Sequence, residues 1–125
     1  MNIALRPATE ADFPEILGMI KELALFEKAP EKVTNSVEQM QREKDFFRCI
    51  MAENEDGIIV GMALYFFAYY TWVGKSLYLD DLYIKPDYRG NGIGTMLLNT
   101  PAIDLYKKMG LTLDEEWINC DWINE

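Results

Sequence analysis

The 125-residue sequence contains no histidine. A Ser-His-Asp triad and any histidine-ligated metal site are thereby excluded. A general base has to come from a carboxylate, a tyrosine, a cysteine, a lysine or water. Cysteine is scarce as well: Cys49 and Cys120 are the only two. Both fall in expected strands without metal-type spacing, so they read as core thiols of a reducing compartment. Basic residues are outnumbered, 12 Lys and Arg against 21 Asp and Glu, for a formal net charge of −9. A basic surface for nucleic acid is therefore not expected. An acidic field favours a cationic substrate, although acidity for solubility alone is the commoner reason for such a charge. No apolar run approaches the roughly 20 residues a spanning helix needs. Met1 leads straight into Ile3, Leu5 and Arg6, without the pattern of a signal peptide. The expectation is a cytoplasmic protein with neither a membrane nor a nucleic-acid partner.

Half of the residues are apolar and 26% are charged, a globular composition of a size for one domain. The most informative stretch is residues 76–99. Leu77 and Leu79 alternate on one face of a strand, and then Leu82 and Ile84 carry the apolar face instead. A phase slip of one residue flips every later side chain, so a β-bulge is expected at Asp80-Asp81. Bulges re-aim side chains beside active sites, and here both residues are carboxylates. Arg89-Gly90-Asn91-Gly92-Ile93-Gly94 follows directly and opens a helix. Glycines at alternate positions allow backbone amides to turn inward and form an anion-binding concavity, with Arg89 as a fixed cation. A phosphate-bearing ligand is the expected occupant. The spacing is not that of a dinucleotide fingerprint, and no Gly-Lys-Ser/Thr of a P-loop follows.

Along the chain, residues 3–5 begin a strand, and Thr9 with Asp12 forms a capping box for an amphipathic helix over residues 10–27. Asn35 or Ser36 caps a short helix through Arg42. Residues 46–53 and 58–70 are strands joined by an Asn54–Gly57 turn. A loop around Trp72 leads into the central strand. After the glycine loop the helix has only Thr95 to Leu98 or Asn99. Pro101 then starts another helix, which Gly110 stops, and residues 117–123 form a last strand.

Arg-Gly-x-Gly-x-Gly after a bulged strand resembles the acetyl-coenzyme A loop of the GNAT-type N-acetyltransferases. Arg6-Pro7-Ala8-Thr9 followed by Asp12 resembles the family's usual opening, and Trp72-Val73-Gly74-Lys75, Leu77-Tyr78-Leu79-Asp80-Asp81 and Asn99-Thr100-Pro101 through Gly110 resemble its diamine (spermidine/spermine) and thialysine subgroup. The resemblance implies an α/β (α+β) fold: a central mixed, mostly antiparallel sheet with a bulged central strand, flanked by helices. It implies direct transfer of acetyl from acetyl-CoA, as co-substrate and without a metal, to the primary amine of a small molecule, in a ternary complex. An alkylammonium has a pKa near 10.4, so a base must remove a proton before attack. Asp80 matches the subgroup's glutamate base, one methylene shorter, which favours a relaying water. Asp81 is the second candidate, or a clamp for a distal cation of the substrate. Tyr106 matches the tyrosine that protonates the departing thiolate. Leu82, Tyr83 and Ile84 would lend backbone groups to the pantetheine. Arg89, Gly90, Asn91, Gly92, Ile93, Gly94 and Thr95 would hold the pyrophosphate, and Asn99 would contact the cofactor if it belongs to the Asn-x-Pro motif. Trp72 either walls the amine site by cation–π contact or anchors its loop. The family commonly pairs as homodimers, and the apolar residues of 62–73 are compatible with that.

Two departures from the family qualify this reading. Tyr69-Tyr70-Thr71-Trp72 lacks the acidic residue the diamine enzymes carry before Gly-Lys, which turns the expectation toward a smaller amine or a lysine analogue. The helix cut at Asn99 is followed at once by another helix start. A helix remainder and a strand, roughly 20–30 residues, are missing at the 99/100 junction relative to the family. Either the single domain of residues 1–125 carries a deletion there or its full form is longer. The competing functions are acetylation of a protein or peptide amine, and a coenzyme A-binding domain without turnover.

Overall fold

The computed structural model describes residues 2–100 and the backbone of residues 112–113. Five strands form one sheet in the order β1 (Ile3–Pro7), β2 (Arg48–Asn54), β3 (Ile59–Tyr70), β4 (Gly74–Ile84) and β5 (Thr112–Leu113). The first three pairings are antiparallel and β5 runs parallel to β4, at Ser76 and Leu77. The sheet is mixed and mostly antiparallel, as the sequence led us to expect. The strand β5 had not been anticipated, and two residues are too few for any periodicity to reveal. The expected helix from Pro101, Tyr106 on it, the strand over residues 117–123 and Cys120 lie outside the described residues. No helix among the described residues is long and apolar enough to cross a membrane.

One face of the sheet is covered by α1 (Phe13–Phe26) and α2 (Val37–Arg42), the other by α3 (Ile93–Leu98). Phe13, Ile16, Leu17, Met19 and Leu23 recur at helical spacing and bury against Met51, Met62, Leu64 and Tyr83. Ile93 and Leu97 of α3 pack with Leu77, Leu79, Leu82 and Ile84 on the opposite face. The expected helix over residues 10–27 begins as a 3₁₀ turn, Glu10–Asp12, and becomes α-helical at Phe13. Ser36 is the cap of α2, accepting from the Gln39 N–H at 3.1 Å. Gly61 lets β3 close on β4, since a Cβ there would lie 2.7 Å from Ile84 Cδ1 and 2.9 Å from the Tyr83 carbonyl oxygen.

The start of α1 is tied to the sheet by Asp12. Its carboxylate accepts two bonds from the Arg6 guanidinium, at 2.7 and 2.8 Å, and one from the Thr9 N–H at 2.8 Å. Arg6 above all, and then the Thr9 N–H, hold Asp12 down to about 2 from an ordinary 3.8, against the opposing effect of burial. A depressed carboxylate stabilises the fold above its ordinary pKa, and that contribution is lost as pH falls through the native value. The shift bounds the effect near ~2.4 kcal/mol, and solvent at the part-open Arg6 reduces it to about 1–2 kcal/mol. We expect Asp12→Asn to lose about that much stability in urea unfolding at pH 7. The gap to the parent should close as pH falls from about 4 toward 2. A gap that persists at pH 2 would remove the ion pair as its cause.

Candidate active site

The bulge lies at Asp80. Tyr65 faces Leu79 across the ladder and Leu64 faces Asp81, leaving Asp80 as the extra residue. Leu79 and Leu82 both bury toward α3, whereas Leu64 and Tyr83 bury toward α1. The alternation therefore places Asp80 and Asp81 together on the α1 side. Burial, followed by the negative charges of Asp80 and Glu27, pushes Asp81 up to about 7 from 3.8. Burial also raises Asp80, the more open of the pair. Glu27 caps the C-terminus of α1. The sequence pattern did not single it out, because it reaches the bulge only through the packing of α1 on the sheet.

The glycine loop leaves β4 through a 3₁₀ turn, Pro86–Tyr88. Gly90 and Gly92 have φ of +82° and +77°, the left-handed region that favours glycine, and apart from chain neighbours no atom among the described residues lies within 4 Å of where a Cβ would stand on either. The loop is thus shaped by backbone conformation and keeps open space beside it. Asn91 folds its side chain inward, donating to the Tyr88 carbonyl at 2.9 Å and the Arg89 carbonyl at 3.3 Å. The backbone N–H groups of Gly90, Asn91 and Gly92 donate to no partner among the described residues. Arg89 braces the turn: its Nε donates to the Ile84 carbonyl at 2.9 Å and its guanidinium sits 5.5 Å from the Tyr83 ring centroid. Ile93 and Gly94 are buried, and Thr95 and Asn99 are exposed on the outer side of α3.

Leu82, Tyr83 and Ile84 are buried where β4 passes from the bulge to the loop. The described pairing of β5 reaches β4 only at Ser76 and Leu77. Beyond the bulge, that edge of β4 has no strand beside it among the described residues, and β4 runs on from the carboxylates to the glycine loop. These sequence-predicted residues thus share one region. Trp72 does not: it stands 97% exposed at the tip of the β3–β4 hairpin. Asp80 lies six positions along β4 from Gly74, roughly 20 Å at about 3.3 Å per residue. Tyr106 lies outside the described residues. Among the described residues no cluster of His, Cys, Asp or Glu is placed to hold a metal ion.

Unpartnered amides at left-handed glycines suit a polyanion, and paired carboxylates at a raised pKa suit an amine. The profile of the acetyltransferase (GNAT) family matches residues 12–111. The thialysine N-epsilon-acetyltransferase of Sus scrofa is 36% identical over 152 aligned positions, covering 93% of this chain and 89% of the relative. The spermidine/spermine N(1)-acetyltransferase-like protein 1 of Homo sapiens is 38% identical over 104 positions, 75% of this chain and 15% of that one. Among solved structures, a predicted acetyltransferase with acetyl-CoA from Clostridium acetobutylicum superposes with a TM-score of 0.67 at 20% identity, over 90% of this chain and 79% of that one. The chain belongs to the GNAT acetyltransferase family, resembles its thialysine and spermidine/spermine subgroup, and is an acyltransferase.

Proposed function

We propose that this single domain transfers an acetyl group from acetyl-CoA directly to the primary amine of a small cationic molecule, thialysine-like or a short polyamine. The observation that carries the reading is the bulge, which turns Asp80 and Asp81 to one face beside Glu27. Three carboxyl groups close together on one face of the sheet attract an alkylammonium and offset the cost of desolvating it. A neutral nucleophile is then needed, and an acceptor whose pKa lies near 7 is matched to receive a proton at neutral pH. Asp81 fits that task at its raised value, with Asp80 beside it as ammonium anchor or as the alternative base acting through water. The acetyl thioester is supplied by the co-substrate. The N–H groups of Gly90, Asn91 and Gly92 fit its pyrophosphate, in the space that the missing Cβ atoms leave open. Leu82, Tyr83 and Ile84 provide backbone between the carboxylates and the loop, and Ile93, Gly94, Thr95 and Asn99 complete the loop and its helix. Arg89 shapes this loop from beneath.

Tyr106 is the proposed proton donor to the leaving thiolate, on the resemblance of its motif. Tyr106→Phe is expected to lower kcat about 10²–10³-fold with little change in acetyl-CoA affinity. Unchanged turnover would remove it from the mechanism. The reading includes a cytoplasmic setting and a homodimer. Exposed Tyr69, Tyr70, Trp72 and Val73 on the hairpin support a pairing surface. The deciding test is acetyl-CoA-dependent thiol release against spermidine, spermine, putrescine, thialysine, lysine and a peptide amine. Release with one small amine supports the proposal. Release with the peptide alone transfers the site to protein amines, and binding of acetyl-CoA without any release makes the domain non-catalytic.

A further inference from the structure

The Tyr83 side chain joins two parts of the molecule that lie far apart in sequence, α1 and the glycine loop. Tyr83 is 3% exposed and packs on the α1 side of the sheet in one core with Met19 and Leu23. Glu22 stands between those two residues on α1, one helical turn on from Met19, at the edge of the same contact. Its carboxylate accepts from the Tyr83 hydroxyl. The Arg89 guanidinium, 5.5 Å from the Tyr83 ring centroid, donates to the same oxygen. A carboxylate only accepts and a guanidinium only donates, so the order Arg89 to Tyr83 to Glu22 is the one that satisfies all three. Burial, and then the Glu22 carboxylate, raise the hydroxyl above its usual value, with Arg89 opposing. The proton therefore stays on Tyr83 at neutral pH, as the chain of bonds requires. Arg89 also donates from Nε to the Ile84 carbonyl at 2.9 Å. Two bonds to different oxygen atoms fix a planar guanidinium as one bond does not.

We infer that Tyr83, through its hydroxyl, is a positioning residue for the glycine loop, with Glu22 as its anchor on α1. Arg89 opens the loop, and Gly90, Asn91 and Gly92 with their unpartnered amides follow it directly. Glycine gives this loop its shape but not its rigidity, because glycine loses more conformational freedom on ordering than any other residue. A loop held only by itself would lose that freedom at the moment it binds a polyanion, and affinity would fall accordingly. Arg89, held at Ile84 and Tyr83, fixes the start of the loop to the sheet, and Glu22 ties the same point to α1. The end of the loop is fixed by Ile93, which is buried in the first turn of α3. The hydroxyl contributes to affinity by keeping the amides in place, not by touching the ligand. The inference rests on the reading of this loop as the pyrophosphate site.

The test compares coenzyme A with pantetheine, which lacks the pyrophosphate, by calorimetric titration of the 125-residue chain. Tyr83→Phe keeps the ring and removes the hydroxyl. It should weaken coenzyme A binding about three- to tenfold, the worth of one hydrogen bond, and leave pantetheine within about twofold. Glu22→Ala, a change at an exposed position of α1 that leaves the core intact, should reproduce this selective loss. With Glu22→Ala the KM for acetyl-CoA should rise by the same factor while kcat stays within about twofold. Glu22→Gln should keep most of the affinity, because an amide oxygen still accepts from the hydroxyl. Tyr83→Phe combined with Glu22→Ala should lose no more than either alone. Additive losses overturn the inference, since the two side chains then act separately. Coenzyme A affinity within about twofold of the parent in both single variants overturns it as well. Equal weakening of coenzyme A and pantetheine does the same, because it marks general damage to the fold. A parent that binds pantetheine as tightly as coenzyme A removes the phosphate reading of the loop itself, and the inference falls with it.

Discussion

Asp81→Asn is expected to lower kcat/KM for the amine by about 10²–10⁴-fold, the span that a positioned proton acceptor contributes. In the parent, kcat/KM should rise through the ionisation of a group near pH 7 and then level, because burial and the charges of Asp80 and Glu27 hold Asp81 at about that value. In Asp81→Asn that limb should vanish. Asp80→Asn should leave a limb and move it to lower pH, because Asp80 is one of the two charges that raise Asp81. If Asp80→Asn abolishes the limb and Asp81→Asn keeps it, Asp80 is the base and Asp81 the anchor.

The same substitution has a second readout, of opposite sign. A carboxyl whose native pKa is raised binds its proton more tightly folded than unfolded. Its contribution therefore favours the fold below about pH 4 and is lost as pH rises through about 7. Moving from 3.8 to about 7 corresponds to at most ~4 kcal/mol, and partial solvent access leaves about 2–4 kcal/mol of strain at pH 8. Asn carries no charge and nearly the same shape. Asp81→Asn should thus be more stable than the parent at pH 8 and similar at pH 4, measured by urea unfolding. An inactive variant that is also less stable at pH 8 would mean that Asp81 holds the strand together, and the proton-acceptor role would fall.

The bulge was legible in the sequence because its signal is a broken period: Leu77 and Leu79 in one phase, Leu82 and Ile84 in the other. The glycine loop was legible because few residues besides glycine accept the angles found at Gly90 and Gly92. Capping by Ser36 and the Asn54–Gly57 turn are likewise local chemistry. What lay beyond reach depends on packing. Glu27 meets Asp81 only because α1 crosses the sheet with its C-terminus toward the bulge, and no spacing along the chain encodes that crossing. Arg89 was expected to help hold the pyrophosphate; its Nε bond to the Ile84 carbonyl and its place over the Tyr83 ring are partners that only the fold brings to it. Trp72 was read either as a wall of the amine site or as an anchor of its loop, and the length of β4 puts it at the tip of the hairpin.

Gly92→Val should weaken coenzyme A binding at least about thirtyfold, through obstruction of the site and strain of its backbone together. Apart from its chain neighbours, no atom among the described residues lies within 4 Å of the added Cβ, so none of them clashes with it. Its cost comes from φ of +77°, where a β-branched residue is a true outlier, at about 1–3 kcal/mol. For a domain of this size that is a fall in Tm of roughly 5–15 °C. The remainder of the loss comes from the isopropyl group, which occupies the space in which a phosphate would meet the loop amides. Gly92→Asn separates the two contributions. Asparagine tolerates the left-handed region, so its Tm should lie within a few degrees of the parent, while its side chain still projects into the same space. Calorimetric titration with coenzyme A should then show Asn losing most of the affinity that Val loses, at little cost in stability. Val retaining affinity within about twofold would refute the loop as the phosphate site, because a loop that tolerates both the strain and the bulk is not shaped around a ligand.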